Sequence, residues 1–163
     1  MPERATVQRA KQKLRGGRSA STAAGEFVRE EMHHIREGKH GARSSKQAIA
    51  IGLSKARRAG VPLRPPRSGS ARTKRSAARA YAAGQSRPSR SPSPKRSRAT
   101  RAALRKQPRG AASHRALAAQ AHSAAVRRGR SARLAAARKA ARTKGPALRK
   151  AAARKAAATR KRA

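Results

Sequence analysis

The chain has 163 residues, of which 45 are Lys or Arg and 5 are acidic, giving a net charge of +40. Alanine accounts for 41 of its hydrophobic residues, only 18 are larger, and Leu, Ile, Val and Phe together make up about 9%. That is well below the roughly 20% under which a highly charged chain is expected to be disordered, so a one-core fold and an enzyme are excluded. The expected fold class is mostly α and disordered: a small N-terminal helical hairpin of two or three helices, then a long, basic, largely disordered tail.

All five acids lie within residues 1–37, where the net charge is +3, while residues 38–163 carry 37 basic residues and no acid. A segment so charged repels itself and stays extended until a polyanion neutralises it. Val7, Ala10 and Leu14 recur at helical spacing and predict a short helix over 3–15, stopped by Gly16-Gly17. Phe27, Val28, Met32 and Ile35 form a broad stripe on a second helix over 23–37, with Gly38 where a C-cap belongs. Ser44 and Gln47 form a capping box opening a third helix over 45–59, which carries Ile49, Leu53 and Ala56 and is closed by Gly60 and Pro62. The predicted core is Phe27, Val28, Met32, Ile35, Ile49, Ile51 and Leu53, with Val7 and Leu14. Burying seven such side chains is worth about 10–20 kcal/mol gross. Ordering about 40 residues costs as much or more, so a homodimer through these helices, or ordering on a ligand, is expected.

Three regions follow: a helical head at 1–61, a Pro/Ser/Arg-rich linker at 62–110 and an Ala/Arg/Lys-rich tail at 111–163. The linker holds seven of the nine prolines. The tail contains an imperfect repeat sixteen residues apart, GRSARLAAARKAA from Gly129 and GPALRKAAARKAA from Gly145. Its residues favour helix, but like charges at i, i+4 oppose one in free solution.

The chemistry-bearing motifs are few. No Cys is present, so disulfides, thiolate chemistry and Cys-based zinc sites are excluded. No apolar run approaches a membrane span. Glu30, His33, His34, Glu37 and His40 cluster around the second helix, with Glu30 and Glu37 sharing a face with His33. Carboxylate-bridged sites draw ligands from several helices and only one copy exists, so ion pairs with Arg29, Arg36 or a neighbouring helix are expected and no metal or cofactor. Gly38-Lys39-His40-Gly41 could let backbone approach phosphate, as the G-x-x-G turn of K-homology domains does, although the strands of that fold have no counterpart here. Ser93-Pro94-Lys95-Arg96 within SRPSRSPSPKRSR looks like the turns of linker-histone tails. Phe27 and Tyr81 are the only aromatic residues, too few for a base-stacking platform, which favours duplex backbone over single strands.

EFVREE, REGKHGARS and SKQAIAIGLSKARRAG, spanning roughly residues 5–61, resemble a family of small basic bacterial proteins of unassigned function, often described as probable DNA-binding. The resemblance implies a bacterial cytoplasmic setting and supplies no catalytic residues. The remaining chain is similar in composition to the tails of linker histones and bacterial histone-like proteins.

Arg outnumbers Lys 32 to 13, which favours phosphate, the partner its planar fork pairs with bidentately. The expected function is that of a histone-like, nucleoid-associated protein binding the phosphate backbone of duplex DNA with low sequence specificity. Expected contacts are Lys39 and Arg43 in the turn, Lys46, Lys55, Arg57 and Arg58 on the third helix, Lys95 and Arg96 in the linker, and Arg138, Lys139, Arg154 and Lys155 in the tail. The alternatives are a structured-RNA or ribosome-associated protein and a DNA-anchored regulatory module. No catalytic residue, cofactor or membrane partner is expected.

Overall fold

A computed structural model describes residues 2–86 and 93–162. Among them are seven α-helices: α1 Arg4–Arg15, α2 Ala20–Arg36, α3 Ser45–Arg58, α4 Ala71–Gln85, α5 Pro94–Arg105, α6 His114–Arg127 and α7 Gly129–Arg162, with a 3-10 turn at Gly110–Ala112. The expectation of a short hairpin followed by a largely disordered tail is therefore overturned: among the described residues, helices form in both the linker and the tail. The chain divides into two units, residues 1–118 and 119–163.

The first three helices follow local signals. Ser19 caps α2, its hydroxyl accepting from Thr22 N. Ser44 caps α3 by accepting from Gln47 N at 3.3 Å. The reciprocal arm of the box differs, since Gln47 Oε1 accepts at 2.8 Å from Arg43 N rather than from Ser44 N. Gly38, at φ 78°, ends α2 as expected.

Within the first unit α1 packs on α2, α2 on α3 and α3 on α4. Phe27 anchors one core cluster with Ala10, Ala23, Ala24, Ala56 and Val61, against which Val7, Leu14, Leu53 and Leu63 lie half-buried. Met32 and Ile35 anchor a second with Ala42, Ala48, Ala111 and Ala112, flanked by Val28, Ile49 and Leu117. Of the predicted core only Ile51 belongs to neither.

Two features missed by counting bulky residues explain why the ordered unit extends so far. First, α4 docks on α3 through small residues, burying Ala77 and Ala80. Gly84 lies against the Arg57 carbonyl, where a Cβ would collide. Second, residues 104–112 form a strap across the α2–α3 connection. Gly41 N donates to Leu104 O at 2.9 Å and Ala42 N to Pro108 O at 3.0 Å. A Cβ on Gly41 would fall on the Gln107 carbonyl, so only glycine admits the strap. Beyond it Ala111 and Ala112 are buried in the second cluster, held as Ser45 Oγ donates to Ala111 O at 2.6 Å and Arg36 Nε to Ala112 O at 2.9 Å. The cover that a bare hairpin lacks thus comes from its own chain.

Ser45→Ala removes a buried donor and strands the Ala111 carbonyl. It is expected to lower the unfolding free energy by about 1–2 kcal/mol, measured as a lower urea midpoint.

No described residue of α6, which begins in the first unit, or of α7 is buried. Apart from Leu117, which α6 sets against the second cluster, helix here rests on the high propensity of Ala, Lys and Arg rather than on a core. α7 is interrupted at Gly145, φ 66° and ψ 170°, ahead of Pro146.

Candidate nucleic-acid interface

The distribution of ion pairs decides which cations are available to a polyanion. All five acidic side chains are engaged around α1, α2 and the turn after it. Glu26, 6% exposed, receives Arg9 Nε at 3.0 Å, the Lys13 ammonium, and Arg29 at 3.4 Å. Fully buried Glu31 faces Lys55 Nζ at 2.6 Å and His40 Nε2 at 3.2 Å. Glu3 faces His34 Nε2 at 3.0 Å, Glu37 faces Lys39 Nζ at 2.9 Å, and Glu30 accepts from Glu3 N at 2.9 Å.

These partners shift the charged groups in understandable directions. The Lys13 hydrogen bond, aided by Arg9 and Arg29 and opposed by burial, holds Glu26 below the ordinary carboxylate value of 4.5. Hydrogen bonding from His34 lowers Glu3, that from Lys39 lowers Glu37, and Glu37 in turn raises Lys39. Burial lowers Arg57.

Because Glu26 is lowered in the folded state, the unfolded chain takes up the proton first as pH falls. The contribution of Glu26 is present above about pH 4.5 and is lost as acid carries the chain through the folded-state value. Urea midpoints are expected to drop on acidification below that point, and the drop to be smaller in Glu26→Gln.

Several expected phosphate contacts prove to be engaged in the fold. Lys55 is 25% exposed and turned to Glu31. Arg57 is 8% exposed and donates from Nε to Leu63 O at 3.1 Å. Lys39 is exposed, but its ammonium is shared between Glu37 and Glu3. Arg43, Lys46 and Arg58 are exposed on the turn and on α3. Ser93-Pro94-Lys95-Arg96 opens α5, with Pro94 as the first helical residue instead of an isolated turn. The preceding residues 87–92 of that stretch lie outside the described residues. Arg138, Lys139, Arg154 and Lys155 are exposed on α7, the first pair before Gly145 and the second after it.

The structure brings two of the expected contacts together with three that sequence reasoning overlooked. Arg58 at the end of α3, Arg72, Arg75 and Arg79 on α4, and Arg96 on α5 line one open depression with Ser76. Arg72, Arg75 and Arg79 recur at i, i+3, i+7, one helical face. That spacing was readable, but the Ala/Arg/Ser background and the expectation of a linker concealed it. No acidic side chain lines this groove, since all five are committed elsewhere. Five guanidinium groups therefore share one concavity uncompensated, a site suited to phosphate oxygens.

Of the two aromatic residues, Phe27 is fully buried and Tyr81 half-buried. No helix among the described residues is long and apolar enough to cross a membrane.

Neither the curated proteins nor the solved structures contain a match to this chain. Residues 17–68, which span α2, the turn and α3, are similar to a family of unknown function (DUF6496), a match that includes Arg58 but stops short of α4.

Proposed function

We propose that the protein binds duplex nucleic acid, DNA in the first instance, through its phosphate backbone and with little dependence on sequence. The observation that carries this reading is the groove of Arg58, Arg72, Arg75, Arg79 and Arg96, where positive charge is gathered and no acid opposes it. The cations exposed along α6 and α7 add sequence-indifferent contacts, and their helices are the form in which phosphate neutralisation favours an Ala/Arg/Lys chain. A role on the bacterial nucleoid, neutralising and compacting DNA, follows from that activity.

Binding by counterion release makes log K fall linearly with log salt, with a slope near −0.9 per phosphate engaged. Titration of duplexes of unrelated sequence at several salt concentrations is expected to give one steep slope and nearly equal affinities. A shallow slope, or affinities differing by orders of magnitude between sequences, contradicts the reading. Competition with structured RNA at matched salt separates DNA from RNA as the preferred duplex, and preference for RNA would move the assignment to a ribosomal or structured-RNA partner.

A further inference from the structure

The chain holds its acids and two of its histidines together in a place the arginine groove does not use. We infer that Glu31 and His34 of α2, with His40 of the following turn, form a binding site for a divalent first-row transition ion of the zinc class. One donor atom from each lies within 4.8 Å of the other two.

Glu31 is fully buried, yet neither of its oxygens receives an aligned hydrogen bond. Lys55 Nζ balances charge on the Oε2 side from 2.6 Å but off the hydrogen-bonding direction. Oε1 faces His40 Nε2 at 3.2 Å. The other nitrogen of that ring, Nδ1, lies 3.1 Å from the Gly41 carbonyl oxygen. A carbonyl only accepts, so Nδ1 carries the hydrogen, which leaves Nε2 of the neutral ring with a lone pair 3.2 Å from a carboxylate oxygen but directed off the line joining them. Two acceptors this close require a cation near both: a shared proton would lie along the line between them, whereas a metal bonded to both sits to one side of it.

The Glu31–His40 separation suits the metal. Bonds of about 2.0–2.2 Å to nitrogen and oxygen set tetrahedral donor separations of about 3.3–3.5 Å, close to the observed 3.2 Å. A backbone carbonyl holding Nδ1–H is also the support that metal-bound histidines ordinarily have. His34, 13% exposed at its side chain, supplies the third donor: its Nε2 lies 3.0 Å from Glu3 Oε1, so it either exchanges that carboxylate for the metal or binds through Nδ1 with Nε2–H held by Glu3, and a water on the open side completes four. Two imidazoles and one carboxylate suit Zn²⁺ and its neighbours better than Ca²⁺ or Mg²⁺, which prefer all-oxygen shells. Binding forms the metal–nitrogen and metal–oxygen bonds and releases whatever proton Nε2 carried to solvent, with no change of oxidation state.

The site lies one residue from Gly41, on which the 104–112 strap is seated, so metal binding pins the strap's receptor loop to α2. It is independent of the DNA reading, because none of its three residues lines the arginine groove.

Full-length, nucleic-acid-free protein is titrated with Zn²⁺ alone by calorimetry, and with Co²⁺ to read the visible bands of a tetrahedral ion. One equivalent is expected to bind and to raise the melting temperature. His40→Gln and His34→Gln are each expected to weaken it by more than the roughly 10–100-fold typical of losing a mere supporting group, with unchanged far-UV circular dichroism. His33→Gln and the double variant His114→Gln/His122→Gln, all at exposed positions, retain it. Absence of binding to the wild type overturns the inference, as does equal weakening by every histidine variant, which marks adventitious surface binding. A neighbouring trio, Glu3, Glu30 and His34, has similar spacing; loss of the ion in Glu3→Gln with retention in His40→Gln would place it there and also overturn the inference.

Discussion

Gly84→Ala is expected to destabilise the protein by about 1–3 kcal/mol, the range for forcing extra volume into a well-packed contact. The sign is informative, because helix propensity alone predicts the reverse: Ala is favoured over Gly in a helix interior by about 1 kcal/mol. Gly84 lies in the last turn of α4 against the Arg57 carbonyl, and a Cβ there meets backbone atoms that cannot swing aside. Either α4 lifts from α3 or α3 frays at its end, and both loosen the Ala77 and Ala80 contacts. Both also displace Arg58 from Arg72, Arg75 and Arg79, so duplex affinity should fall along with the melting temperature. The matched change Ala83→Gly, at an exposed position one residue away, should cost only the propensity difference. If Gly84→Ala proves more stable than the wild type, the α3–α4 contact does not exist as described.

That contact also marks where the sequence could and could not be read. The first three helices were legible because Val7 and Leu14 on α1, Phe27, Met32 and Ile35 on α2, and Ile49 and Leu53 on α3 are large and spaced at helical intervals, with Gly16, Gly38 and Gly60 marking the ends and Ser44 the start of α3. The order beyond residue 62 was not, because its packing uses alanine and glycine. Ala77, Ala80, Ala111 and Ala112 are buried, while many neighbouring alanines of identical local context are exposed. Only the tertiary partner distinguishes them. The strap has the same character: hydrogen bonds from Gly41 and Ala42 to Leu104 and Pro108 join segments more than sixty residues apart and leave no local periodicity.

The candidate site was half legible for a related reason. Composition announces a polyanion-binding chain, but a basic residue near a helix C-terminus looks the same whether it meets phosphate or a buried partner. Lys55 and Arg57 are drawn inward by Glu31 and the Leu63 carbonyl, whereas Arg58, their neighbour on the helix, faces the groove. Among the histidines, His33 shares a face with two glutamates in sequence, yet it is exposed and His34 turns toward the acids.

The second large effect concerns the groove itself. Replacing Arg72, Arg75 and Arg79 by Gln removes three phosphate contacts from one helical face. All three side chains are exposed and none makes an ion pair among the described residues, so the fold should be little changed. With counterion release at about 0.9 ions per contact, three lost contacts correspond to roughly a 10²–10³-fold loss of duplex affinity near 0.1 M salt. Cations on α6 and α7 can hold the duplex but cannot restore the lost contacts. A triple replacement at Arg138, Arg154 and Lys155 provides the comparison for charge removed outside the groove.

The most direct measurement is therefore the slope of log K against log salt for duplex binding by the full chain and by Arg72→Gln/Arg75→Gln/Arg79→Gln. A slope shallower by about 2.7 in the variant, with its circular dichroism unchanged, is the predicted result. An unchanged slope and affinity would show that these arginines do not touch phosphate and would contradict the account.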